Sequence, residues 1–198
     1  MNLFEQVKNI LLTPKTEWDV IASREEEHTK VLTSYLIILA LIPAIAAFVG
    51  WGLVGHKVFL IKVTGIELGI RYAITQFVSV IAGAYITAIV FNELAPKYGG
   101  VKNFNKAFQL AAYCYTAVCV GGIFYLLPSL SSLAALAGLY ALYLLYIGMK
   151  PMMKVADDKA TTYFVISLLC MILVSVLLSV VLGAVFGMRS FGVSSMGL

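Results

Sequence analysis

Charge is scarce in this chain. Of its 198 residues only 12% are Asp, Glu, Lys or Arg, while 61% are hydrophobic. A soluble domain carries roughly 25% charge, so water is excluded as the solvent for most of this surface. Histidine is nearly absent: His28 and His56 are far apart and lie outside the apolar runs. GxSxG elbows, HExxH pairs, phosphate loops and repeated CxxC are missing. A hydrolase with a histidine base is disfavoured, and the chain reads as a non-enzymatic protein with no cofactor. The three cysteines, Cys114, Cys119 and Cys170, sit inside apolar runs with no His or Asp at ligand spacing. They read as small packing residues and not as metal or redox groups. No basic block is interleaved with aromatics, so nucleic acid is not an expected partner. Ionisable groups are also missing from the apolar runs themselves, which leaves proton-coupled transport little support.

What is present is a series of apolar runs, each long enough to cross a hydrocarbon layer of roughly 30 Å. They predict an all-α polytopic membrane helix bundle of about five spans, near residues 31–54, 66–95, 104–127, 129–149 and 160–188. Pro43 is expected to kink the first. Lys57, Lys62 and Gly65 mark a linker to the second, whose uncharged part runs from Tyr72 to Asn92; just before that part Glu67 and Arg71 stand in the favourable i,i+4 order for an ion pair. Pro128 and Ser129 leave so little chain between the third and fourth that they must form a tight antiparallel hairpin. Asp157, Asp158 and Lys159 precede the fifth, where a carboxylate can accept the free amide hydrogens of the helix start. Residues 189–198 read as a short disordered tail.

Residues 1–30 form a separate N-terminal segment that lacks the pattern of a cleavable signal peptide. Leu3, Phe4, Val7, Ile10 and Leu11 recur at helical spacing opposite Glu5, Gln6, Lys8 and Asn9. This amphipathic helix is too short to span and can lie on a membrane surface or pack against the ends of the bundle. Pro14 stops it, and Thr16 with Asp19 signals a second short helix carrying Trp18, Ile21 and Ala22. With the N-terminus inside, the cytoplasmic side carries ten Lys and Arg against four on the other side. That bias predicts a cytoplasmic N-terminus and an external C-terminus for an odd number of spans.

Three groups of residues are candidates for function. Asn92 and Glu93, at the end of the second span, read as an interfacial anchor or as a gate. Tyrosines concentrate on the third and fourth spans, among them Tyr113 beside Thr116, and Tyr140, Tyr143 and Tyr146 stepping by three. Tyr146 suits an interfacial belt, whereas Tyr140 lies about 9 Å deeper and needs a hydrogen-bond partner. These tyrosines serve packing, or contact lipid headgroups or substrate. Ser175, Ser179, Gly183 and Gly187 fall four apart on the fifth span and make a smooth face for another helix, either within the monomer or in a self-associated pair. Membrane lipids are the expected surroundings in every case.

The order of residues also resembles a known family. Thr13-Pro14-Lys15-Thr16-Glu17-Trp18-Asp19-Val20-Ile21, then Tyr98-Gly99-Gly100, Phe104, Ala107, Tyr113 and Thr116, then Pro128, then Leu139 to Gly148, and finally Lys154 and Asp157 to Ala160 look like the Yip1 family in a compact prokaryotic form. The resemblance covers nearly the whole chain and implies five spans with a cytoplasmic N-terminus. Its motifs are packing and loop residues. It further implies that the chain organises membrane or partner proteins, as eukaryotic members are associated with Golgi and ER membranes, Rab GTPases and vesicle traffic. The longer cytosolic region of those members has no counterpart here, and Ala117 stands after Thr116 where the family suggests proline. A lipid-handling or small-solute transport protein, using a polar path between spans, is the alternative. For a prokaryotic chain the expected location is the cell membrane.

Overall fold

Apolar side chains without enough polar surface to cover them fold here into helices that satisfy their own backbone, as a hydrocarbon solvent requires. The computed structural model describes residues 2–58 and 61–186. It contains α1 (Leu3–Leu12), α2 (Pro14–Ser23), a long rod α3 (His28–Val54), a β-hairpin of β1 (His56–Val58) and β2 (Ile61–Val63), α4 (Ile66–Leu94), α5 (Phe104–Gly121), α6 (Ala134–Met153) and α7 (Ala160–Phe186). Four stretches are long and apolar enough to cross a membrane: His28–Val54, Ile66–Tyr98, Phe104–Leu126 and Pro128–Met153. Of α7, Ala160–Val174 is counted as a shorter apolar helix among the described residues. The five spans expected from the sequence are thus four on this measure.

The centre of the bundle is α5. Of its most apolar window 72% is buried, against 11% for α6, and α5 packs on α3, α4 and α6, while α7 packs on α4. Small and aromatic side chains alternate along its buried surface, with Ala107, Phe108, Ala111, Ala112, Tyr113 and Ala117 all in the core.

The structure corrects several boundaries. The second short helix starts at Pro14, before the Thr16 signal, because proline at the first helical position brings a preset φ and no amide hydrogen to satisfy. The linker after the first span is an antiparallel hairpin, with His56 opposite Val63 and Val58 opposite Ile61. Regular α-helix in the third span ends at Gly121. The chain then tightens through two 3-10 segments, Gly122–Leu126 and Pro128–Leu133, which together make the expected tight turn into α6. The fourth helix runs beyond residue 149 to Met153 with Pro151 in its last turn, and Lys154 closes it in the left-handed region at φ 52°. Pro43 lies within α3, which is α-helical over Ile37–Ala47 and π-helical over Leu32–Leu36 and Phe48–Val54. Gly52 and Gly69 let α3 and α4 meet: a Cβ on Gly69 would stand 2.7 Å from the Gly52 Cα.

The turns carrying Lys97, Lys102, Lys154 and Lys159 and the first turn of α5 mark one end of the bundle, called here the basic end. Val101 donates its amide to the Met153 carbonyl at 2.9 Å, which joins the α4–α5 loop to the end of α6.

Candidate functional site

The residues joining α2 to α3 run past the basic end, and their backbone carbonyls need donors. Two residues of α5 supply them. Lys106, buried in the first turn, donates its ammonium to the carbonyls of Ala22 at 2.8 Å and Arg24 at 2.5 Å, and Gln109 donates to that of Glu26 at 2.7 Å. They recur at i,i+3 and so share one helix face. Glu25 adds a looser pair with Lys106 at 3.8 Å. Just beyond, Asn105 accepts the His28 amide at 3.1 Å and meets His28 Nδ1 at 2.9 Å. The imidazole stands edge-on to Phe104 and Phe108.

Beneath this strap lies a mixed polar cleft. Its cavity, about 600 Å³, is lined by Leu3, Gln6, Arg24, Glu26, Lys30, Val31, Ser34, Tyr35 and Tyr113. Glu17 is only 5% exposed; its carboxylate accepts from Asn9 at 3.2 Å and pairs with Arg24 at 3.7 Å. A carboxylate removed from water survives through such partners, and deleting one of them leaves an uncompensated buried charge worth about 3–5 kcal/mol. Arg24 also hydrogen-bonds the Tyr113 hydroxyl. Behind the cleft wall the hydroxyls of Tyr35 and the buried Thr116 meet at 2.6 Å, and the rings of Tyr35 and Tyr113 pack 4.7 Å apart. The charged groups lining the cavity are Arg24, Lys30 and Glu26, and Lys30 pairs with Glu26 at 3.6 Å.

Some of the sequence-derived candidates gather at two places, and the rest stand apart from both. Tyr113 lines the cleft, Thr116 hydrogen-bonds the cleft residue Tyr35, and Tyr140 donates its hydroxyl to the Leu11 carbonyl at 2.7 Å. The partner this tyrosine needs is supplied by α1. Asn92, Glu93, Tyr98 and Gly99 lie in the other cluster, at the end of α4. Asn92 is buried and donates to Glu93 at 3.0 Å, and the exposed Glu93 carboxylate pairs with Lys102 at 2.6 Å. Gly99 closes its turn at φ 77°. Tyr98 packs on Tyr163, whose own hydroxyl donates to the Phe91 carbonyl at 2.7 Å. Tyr143 and Tyr146 are exposed, the latter edge-on to Phe164. Asp157 pairs with Lys150 at 2.8 Å, a contact that holds its carboxyl below the usual carboxylate range. Asp157, Asp158 and Lys159 are exposed in the turn before α7, and the Asp157 carboxylate is directed to Lys150. Ser175, Ser179 and Gly183 belong to the α7 backbone, but their side-chain environment, like Gly187 altogether, lies outside the described residues. Glu67 and Arg71 form their expected pair at 2.5 Å.

Glu17, Arg24, Lys106 and Gln109 were not singled out from the sequence. A signal existed: Asn105, Lys106 and Gln109 are the polar residues of the first turns of a mostly apolar helix, and a buried face is where polar side chains must have partners.

Helices with apolar exteriors, polar groups tied internally and cations gathered at one end define a polytopic integral membrane protein. The chain belongs to the Yip1 domain family, whose model matches residues 8–194; the family is membrane-associated and non-enzymatic. No curated protein and no solved structure matches the chain.

Proposed function

We propose that this protein organises membrane or partner proteins, without catalysing a reaction, through its spans and the surface at its basic end. The observation that carries this reading is the use made of polar groups. Tyr35, Tyr140 and Tyr163 each spend their hydroxyl on a neighbouring element, which supports a rigid frame over a polar path through the bundle. The proposal includes five spans. The 27 residues of α7 are about 40 Å long at 1.5 Å per residue, enough for a hydrocarbon core of roughly 30 Å. With five spans the basic bias would give a cytoplasmic N-terminus and an external C-terminus, and in a prokaryote the membrane would be the cell membrane. Ser175, Ser179, Gly183 and Gly187 would make the fifth span a seam for self-association. Crosslinking in native membranes followed by affinity capture tests the role: a reproducible protein partner or oligomer supports it, and repeated recovery of the monomer alone refutes it.

The cleft favours a second reading, lipid handling, because Arg24, Lys30 and Glu26 line it beside two tyrosines. Reconstituted vesicles with fluorescent lipids separate the two. Flux no faster than in empty vesicles eliminates the lipid reading for the lipids tried.

A further inference from the structure

We propose that α1 and α2 form a re-entrant hairpin whose tip, at Leu12 and Thr13, lies in the hydrocarbon of the leaflet at the basic end. The proposal rests on membrane embedding of the bundle and is independent of the organising role. Three ties fix how the hairpin stands. Near its exit the Arg24 carbonyl is held by Lys106 in the first turn of α5. Midway, the Trp18 ring lies against Gly148 and edge-on to Tyr113. At the tip, the Leu11 carbonyl is reached by Tyr140. At 1.5 Å per residue the two contacts of Trp18 lie about 10 Å along α5 from Lys106 (Tyr113) and about 3 Å along α6 from Lys150 (Gly148), and Tyr140 lies about 15 Å along α6 from Lys150. The ties therefore descend into the bundle in order, and the hairpin stands along α6 and does not lie across its end.

The chemistry of the outer surface matches that placement. Leu12 is 70% exposed at the tip and Phe4 73% exposed on α1. The threonine hydroxyls at the tip turn back on their own chain, Thr13 to the Asn9 carbonyl and Thr16 to the Thr13 carbonyl, both at 3.1 Å. Such internal satisfaction is what a hydroxyl needs where water is absent. Lys8 and Lys15 flank Leu12 and are exposed, with Glu5 and Asp19 exposed about a turn further from the tip; long lysine stems lie along apolar surface while the ammonium extends toward the headgroup layer, where the two carboxylates stand. Phospholipid is the occupant that accepts an apolar tip and flanking cations together.

The test replaces Cys114, Cys119 and Cys170 by alanine and labels Leu12→Cys with an environment-sensitive fluorophore in phosphatidylcholine/phosphatidylglycerol vesicles. Lys97→Cys serves as the surface reference and Leu169→Cys on α7 as the lipid reference. The label at residue 12 is expected to be quenched several-fold more strongly by lipids brominated in mid-chain than by aqueous iodide, as at residue 169. Thr13→Cys provides the same readout should the first variant fold poorly. Iodide quenching equal to that at residue 97 would place the tip in water and overturn the proposal. Protection from both quenchers would show a protein cover, such as a second copy, and overturn it equally.

Discussion

Helix propensity and packing make opposite predictions at Gly148, which allows a sharp test of how the N-terminal hairpin is held. Replacing glycine by alanine inside a helix is favourable by about 0.8–1.0 kcal/mol on propensity alone. In this structure the new Cβ would stand 2.5 Å from Trp18 Cε2, 2.6 Å from Cζ2 and 2.7 Å from Cδ2. Carbon atoms normally touch at about 3.5–4.0 Å, so the indole must retreat by about 1 Å. It has nowhere close to go, since Trp18 is 1% exposed with Tyr113 edge-on to it. Over-packing of this kind costs about 1–3 kcal/mol. Gly148→Ala should therefore destabilise the protein by about 1 kcal/mol net in the native background. In a Trp18→Leu background the same change should stabilise it by up to about 1 kcal/mol. Trp18→Leu lowers the starting stability without affecting the comparison, which is a double-mutant cycle. Reversible unfolding of the four purified variants in detergent micelles measures it. An effect of Gly148→Ala with the same sign and size in both backgrounds would refute the close approach of Trp18.

Other consequences can be measured separately. Lys106→Met removes two charge-assisted bonds to carbonyls, and after the relief of burying an ammonium it should cost roughly 2–4 kcal/mol; hydrogen exchange in residues 22–27 should rise well above exchange in α5, and unchanged protection there would contradict the strap. Cys114 and Cys119 are buried whereas Cys170 is half-buried, so a thiol-directed maleimide should label Cys170 first in the folded protein, and equal labelling of all three without denaturant would be inconsistent with the core described. Lys150 holds the Asp157 carboxyl below its ordinary value, so what this pair contributes is present above the unfolded aspartate pKa and fades as pH falls through the depressed folded one. Protection factors of the amides at residues 154–159, the exchange rates corrected for intrinsic exchange at each pH, should fall over that acidic range in the native protein, and Asp157→Asn should remove the fall; a variant that still shows it would assign the effect elsewhere.

Much of the frame was legible in the sequence because bilayer thickness imposes long apolar runs, and their ends are marked by Pro, Gly and Lys. What escaped it was decided by contacts distant in sequence. Lys106 reads as a loop cation until α2 and α3 bring carbonyls to it, and Glu17 reads as a solvated residue of an amphipathic helix until Asn9 and Arg24 enclose it. Tyr140 shows both sides of this: its need for a partner follows from depth, while the identity of that partner, a carbonyl 129 positions away, follows only from the fold. The early end of α5 at Gly121 was likewise hidden, since the 3-10 turns that follow retain the apolar composition of a helix.

The strap across the cleft is gripped by its main chain: Lys106 and Gln109 contact the carbonyls of residues 22, 24 and 26. Every amino acid has that carbonyl. Side chains in this stretch can change freely as far as these three bonds are concerned, but inserting or deleting one residue shifts all the carbonyls out of register together. Among related chains the spacing between Trp18 and His28 should therefore be kept more strictly than the letters within it, and a one-residue deletion there should do more damage than several simultaneous substitutions.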